Sequence, residues 1–171
     1  MNTLDKWLQL YMSEDPAIRI RAGQGLLNRG DEIPLPVLLN ILDTLCEQGL
    51  GAATLKVLKR RRDEQLPQEM ISRLSSANNF IRQVACEVLG SLRDPVATSH
   101  LLEMLTDPYL MVRRAAALAL GSLKDPASVS GLKKQYLLQQ SDLNMELAIG
   151  SALKQLGVEI KSCGGSVEEF C

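Results

Sequence analysis

Apolar residues recur at three- and four-residue spacings along most of the chain, as in Val84, Val88 and Leu92 or Leu101, Leu102 and Leu105. That is the period of a helix burying one stripe. Between the stripes stand repeated start signals: Asp15-Pro16, Asp94-Pro95, Asp107-Pro108 and Asp125-Pro126. An aspartate can cap a first turn, and a proline suits that turn because no intrahelical donor is needed there. The pattern predicts ten short helices, at about 3–13, 16–29, 34–48, 50–62, 66–76, 78–92, 95–106, 108–123, 126–140 and 142–157. After Gly157 it stops. Ser162-Cys163-Gly164-Gly165-Ser166 reads as a flexible linker composition, so residues 1–158 are expected to form the folded part and 159–171 a tail.

The stripes repeat. Ile81-Arg82, Ala85, Leu89-Gly90-Ser91-Leu92-Arg93-Asp94-Pro95 can be laid on Val112-Arg113, Ala116, Leu120-Gly121-Ser122-Leu123-Lys124-Asp125-Pro126 at a constant offset of 31. Leu101 falls on Leu132 at the same offset, and stepping back by 31 carries Leu89 and Asp94 to Leu58 and Asp63. Ile18-Arg19, Ala22, Leu26 and Asp31 match Ile81-Arg82, Ala85, Leu89 and Asp94 at an offset of 63. A last, looser copy, Leu147 to Gly157, is expected at an offset of 36 from Met111 to Gly121, with an insertion near Gln139–Asp142. No helix of this length can bury its stripe alone; stacking neighbours would create the continuous core.

An apolar residue followed by Arg, then Ala, Leu-Gly, a linker ending in Asp-Pro and paired leucines resembles the HEAT-like repeats, specifically the short bacterial kind first described in phycobilin lyases. The resemblance implies an all-α fold, an α-solenoid of the HEAT-like or armadillo type with about five helical hairpins. It also implies that the second helix of each unit lines a concave side. Such repeats occur in bilin lyase subunits, chaperone-like scaffolds, regulators and some nucleic-acid enzymes, so the fold alone does not select a function.

Composition narrows the field. Aromatics are only 4% of residues, which favours closely spaced helices over a β-sandwich. The net charge is −1, so no overall field draws the chain to nucleic acid or acidic lipid. No apolar run approaches the roughly 20 residues needed to span a bilayer, and the first fifteen residues lack a signal-peptide pattern. A cytoplasmic location follows as the expectation. Cys46 and Cys86 fall in helical patterns and are expected as small hydrophobes buried in the core. Cys163 and Cys171 lie in the tail with no CxxC and no nearby histidine, so no metal site is expected; a disulfide or reactive thiol is the lesser reading.

Several groups are candidates for function. Arg19, Arg82 and Arg113, with Asp31, Asp63, Asp94 and Asp125, recur with the core frame, and residues that do so are expected to cap helices or tie neighbouring repeats. Lys56, Lys59, Arg60, Arg61 and Arg62 place five cations in seven positions, a basic patch suited to an acidic protein. No aromatics interleave with them to stack bases, so nucleic acid is the weaker reading. At the end of a helix, such cations also pair with the last carbonyls.

His100 is the only histidine. With Glu103 and Met104, flanked in the repeat frame by Glu69, Ser72 and Arg73 on one side and Lys134 and Gln135 on the other, it forms a mixed polar strip for binding a partner. No nucleophile accompanies it, no phosphate loop is formed by Gly23, Gly25 and Gly30, and no paired-carboxylate or serine-elbow motif appears, so no catalytic residues and no cofactor or metal are predicted. A HEAT-like hydroxylase with a di-iron centre would need several His-Glu pairs. Trp7 and Tyr11, one turn apart, read as the core face of a capping repeat.

The leading expectation is a non-catalytic scaffold or adaptor that binds another protein through its concave face, with no small-molecule ligand. A bilin lyase or chaperone-like subunit acting with a partner is the alternative, and a nucleic-acid binder the third.

Overall fold

The computed structural model describes residues 3–138 and 142–159, and all regular structure among them is helical. Ten α-helices follow in order: α1 (Thr3–Tyr11), α2 (Pro16–Leu27), α3 (Leu35–Leu45), α4 (Gly51–Leu58), α5 (Leu66–Arg73), α6 (Asn79–Leu92), α7 (Thr98–Met104), α8 (Leu110–Leu123), α9 (Val129–Leu138) and α10 (Leu143–Gln155). This is the all-α solenoid class, with about five hairpins. Each helix stands where the apolar period placed it, trimmed at its ends. The trimming has local causes. Pro95 and Pro126 each begin a short 3₁₀ turn, Pro95–Ala97 and Pro126–Ser128, before the α-helix proper. Arg93 and Lys124 end α6 and α8 in the left-handed conformation, both with φ of 57°. The predicted tail lies outside the described residues from position 160.

The chain forms two compact units, residues 1–66 and 67–171. In the first, α1 packs on α2, and α2 meets both α3 and α4. Tyr11 is buried and Trp7 half-buried, with the indole lying over Gly25, where a Cβ would come within 2.8 Å of the ring. Both aromatics thus turn toward the core of this unit, Tyr11 fully and Trp7 in part. A π-turn, Cys46–Leu50, joins α3 to α4, and Gly49 reverses the chain there at φ 87°, a conformation costly for other residues. Leu38, Ile41, Leu42, Leu58 and Leu26 fill the core of this unit.

In the second unit α6, α8 and α10 lie side by side, while α7 packs on α8 and α9 on α10. The row is tight. A Cβ on Gly90 would stand 2.7 Å from the Cα of Ala119, and one on Gly121 would stand 2.7 Å from the Cα of Ala152. The Leu89-Gly90 and Leu120-Gly121 pairs thus mark where two helix backbones touch.

The last repeat requires a correction. α8 begins at Leu110 and α10 at Leu143, an offset of 33 rather than 36. At 33, Val112, Ala115, Ala116, Ala119 and Leu120 fall on Met145, Ala148, Ile149, Ala152 and Leu153, and every one of these is buried. At 36, Ala115 would fall on exposed Ser151. Gly157 resembled Gly121 only by letter: it lies beyond α10 at φ 77°, while Gly121 lies inside α8 against a neighbour.

Candidate functional site

The repeated arginines have one shared task. Nη1 of Arg19 donates to the carbonyls of Ser13 and Glu14 at 3.2 and 3.4 Å, that of Arg82 to Ser76 and Ala77 at 2.8 and 3.3 Å, and that of Arg113 to Asp107 and Pro108 at 2.9 and 3.1 Å. Each reaches back six and five residues and secures the turn before its own helix. Two of them also tie one repeat to the next. Arg82 grips Asp107 through Nε and Nη2 at 2.8 and 3.0 Å, with both side chains buried, and stacks over the Tyr109 ring at 5.4 Å. Arg113 faces Oδ2 of Asp142 at 3.8 Å, a looser contact, while Oδ1 of Asp142 accepts from the backbone N–H groups of Asn144 and Met145.

The aspartates divide the remaining work. Asp15, Asp94 and Asp125 cap their turns by accepting from Ala17, Val96 and Ala127, and Thr98 donates to Asp125 at 2.6 Å. For Asp107, burial pushes the carboxyl up most strongly. Hydrogen bonds from Arg82 and the Tyr109 N–H, with the charges of Arg82 and Arg113, outweigh that push and hold it below the ordinary value. These groups are part of the frame.

The basic patch separates into two kinds of residue. Arg61 binds Asp63 through Nε and Nη2 at 2.7 and 2.8 Å and donates to the carbonyls of Asp31 and Ile33 at 3.1 and 2.7 Å. Its hydrogen bonds are what lower the Asp63 carboxyl, against a smaller effect of burial. Arg62 folds onto the carbonyls of Lys59 and Arg61 at the end of α4. Lys56, Lys59 and Arg60 are exposed.

The predicted polar strip falls on three helices of the second unit. On α5, Arg73 binds Glu69 at 2.8 Å one turn away, and Ser72 turns back to the Glu69 carbonyl. On α7, His100 and Met104 are half-buried and Glu103 exposed; on α9, Lys134 is exposed and Gln135 half-buried. α7 and α9 meet where Gly131 lies against Leu102, a Cβ there coming within 2.5 Å of the leucine methyl. No hydrogen bond or ion pair engages His100, Glu103 or Lys134 through its side chain among the described residues.

Two features escaped the sequence reading. Met111 on α8 and Leu143 and Leu147 on α10 are half-exposed or more, at 50%, 66% and 64%. In the first unit, a groove of about 590 Å³ is walled by Met12, Pro16, Ile20, Pro36, Val37 and Leu45, with Tyr11, Arg19, Asn40, Thr44 and Gln48 as its polar groups. The Tyr11 hydroxyl donates to Asn40 at 2.7 Å and lies 3.4 Å from Thr44. Burial raises its pKa, against the opposing hydrogen bond of Thr44 and charge of Arg19. Helical period marks which residues turn inward, but a gap between two packed helices leaves no period.

Among the described residues no group of three or more His, Cys, Asp or Glu is placed to hold a metal ion, and no helix is long and apolar enough to cross a membrane. Helical hairpins stacked by glycine contacts and tied by arginine–aspartate pairs are the build of a helical-repeat protein. The HEAT-repeats family matches residues 35–117 and, in an overlapping second match, 67–154. The chain belongs to the HEAT-repeat family. No curated protein matches it. Among solved structures it is similar to human deoxyhypusine hydroxylase in complex with glycerol, at 17% identity and a TM-score of 0.60 over 90% of this chain. The chain spans 62% of that protein's length, and a likeness at this identity is one of fold.

Proposed function

We infer that the protein is a non-catalytic interaction scaffold or adaptor in the cytoplasm, and that it binds another protein through the α7–α9 face. One observation carries this reading. Arg82, Arg113, Asp63, Asp94 and Asp125 of the repeat frame are engaged in caps and ties, whereas His100, Glu103 and Lys134 have side chains that engage nothing else among the described residues. Polar side chains that the fold does not use, on adjacent exposed helices, suit a polar interface rim, with half-buried Met104 as an apolar contact. Glu69, Ser72, Arg73 and Gln135 extend this surface in the proposal, and Lys56, Lys59 and Arg60 form a secondary contact for an acidic partner.

The hydroxylase activity named for the structural neighbour is not carried over. This chain contains one histidine. The test is affinity capture from native lysate with the wild type, a Glu103→Lys/Lys134→Glu variant and a Lys59→Glu/Arg60→Glu variant. A discrete protein retained by the wild type and lost from the first variant supports the reading. Capture of nucleic acid or a coloured chromophore in its place overturns it.

A further inference from the structure

The groove of the first unit holds a cation whose counterparts in the second unit are paired. Arg82 is met by Asp107, 25 residues on, and Arg113 by Asp142, 29 residues on. The same interval after Arg19 runs from Thr44 to Gln48. Thr44, Leu45 and Gln48 of that stretch line the groove, whereas Glu47, its only acid, is exposed and outside the lining. Asp43, whose charge reaches Tyr11, is also exposed and outside the lining. Arg19 uses Nη1 alone, on the two carbonyls behind it, and makes no ion pair among the described residues. Its Nε and Nη2 are therefore left for an acceptor. A half-buried guanidinium beside apolar walls binds a carboxylate more strongly than it would in bulk water.

The other polar groups define the rest of the ligand. Asn40 accepts from Tyr11 but leaves its amide N–H groups without an acceptor among the described residues, and the Gln48 amide is likewise unused. Side-chain amides that donate and accept are suited to a peptide backbone, which a simple carboxylic acid lacks. Met12, Ile20 and Val37 offer apolar surface beside them.

We propose that this groove binds an extended segment of a partner protein, seating an acidic side chain on Arg19 where Asp107 sits on Arg82, with neighbouring apolar residues against Met12, Ile20 and Val37. The site is separate from the α7–α9 face and does not depend on it.

The test uses the full chain and capped heptapeptides with a central Asp flanked by Leu and Val, against the same peptides with Asn, followed by fluorescence anisotropy. The Asp peptide is expected to bind about tenfold tighter, the gain of one charge-assisted contact. Arg19→Gln should abolish that preference. Gln48→Glu should supply the carboxylate internally, cutting peptide binding about tenfold without lowering the melting temperature, so a lost fold is not mistaken for a blocked site. Equal binding of Asp and Asn peptides, or undiminished binding to Gln48→Glu, overturns the proposal. Valerate competing as well as the Asp peptide overturns its peptide part. Glu103→Lys should leave this affinity unchanged, whatever it does to capture from lysate.

Discussion

Gly90 of α6 faces Ala119 of α8 so closely that a Cβ on the glycine would stand 2.7 Å from the alanine Cα and 2.8 Å from its Cβ. The obstacle is backbone, which cannot rotate away. Gly90→Ala should therefore destabilise the protein by about 1–3 kcal/mol, although alanine is the better helix former by about 1 kcal/mol. Gly121→Ala should behave alike against Ala152. Urea melts followed by circular dichroism give the answer; a stabilised Gly90→Ala would mean that the helices separate at little cost.

Arg82 and Asp107 are buried together, and each is the main partner of the other. Asp107→Ala should cost about 3–5 kcal/mol, because it strands a buried guanidinium and removes the acceptor for the Tyr109 N–H. Replacing both residues with apolar ones of similar volume should cost much less than either single change. A double-mutant cycle on unfolding free energy checks this coupling.

The acid limb of stability follows from the same carboxylates. Asp107 and Asp63 are held below their ordinary value of 3.8, so the folded state binds fewer protons than the unfolded chain just below that pH. Their contribution is complete above the unfolded value and is lost as pH falls through the lower folded values. Denaturation midpoints should be flat near neutrality and drop below about pH 4. Asp63→Asn should lower stability at pH 7 and reduce the drop.

Cys86 is fully buried, and burial chiefly drives its thiol up to about 12. Its thiolate is the reactive species, so native Cys86 should resist alkylation at pH 8 and react once the chain is unfolded. Peptide-mapped mass spectrometry after iodoacetamide treatment would show this directly. Cys46 is only half-buried, contrary to its expected place in the core, and should be modified sooner.

Within the basic patch, Arg61→Ala should lower the melting temperature because it releases Asp63 and two carbonyls of the preceding loop. Arg60→Ala should leave it nearly unchanged. Thermal melts of the two variants measure the contrast, and equal effects would contradict the division of this patch into frame and surface.

Some of this was legible because the physics is local. The caps at Asp15, Asp94 and Asp125 depend on residues two positions apart, and the helices depend on stripes with a fixed period. The register of α10 was not legible. Gly157 and Gly121 can be aligned by letter, yet the contact of Gly121 with Ala152 sets the offset, and that contact joins different helices. The Arg82 partner was ambiguous for a similar reason: Asp94 and Asp107 are both near it in sequence, and only the stacking of α8 on α6 brings Asp107 to the guanidinium.

The sequence by itself determined the ten helices, their capping signals and the repeat that pairs them, since each follows from residues within a few turns of one another. Tertiary structure decided which arginines found an aspartate and which did not. It also decided which apolar side chains stayed exposed and where a groove opened beside Arg19. Those outcomes rest on distances between helices, which close packing sets to a fraction of an ångström and which no spacing along the chain encodes.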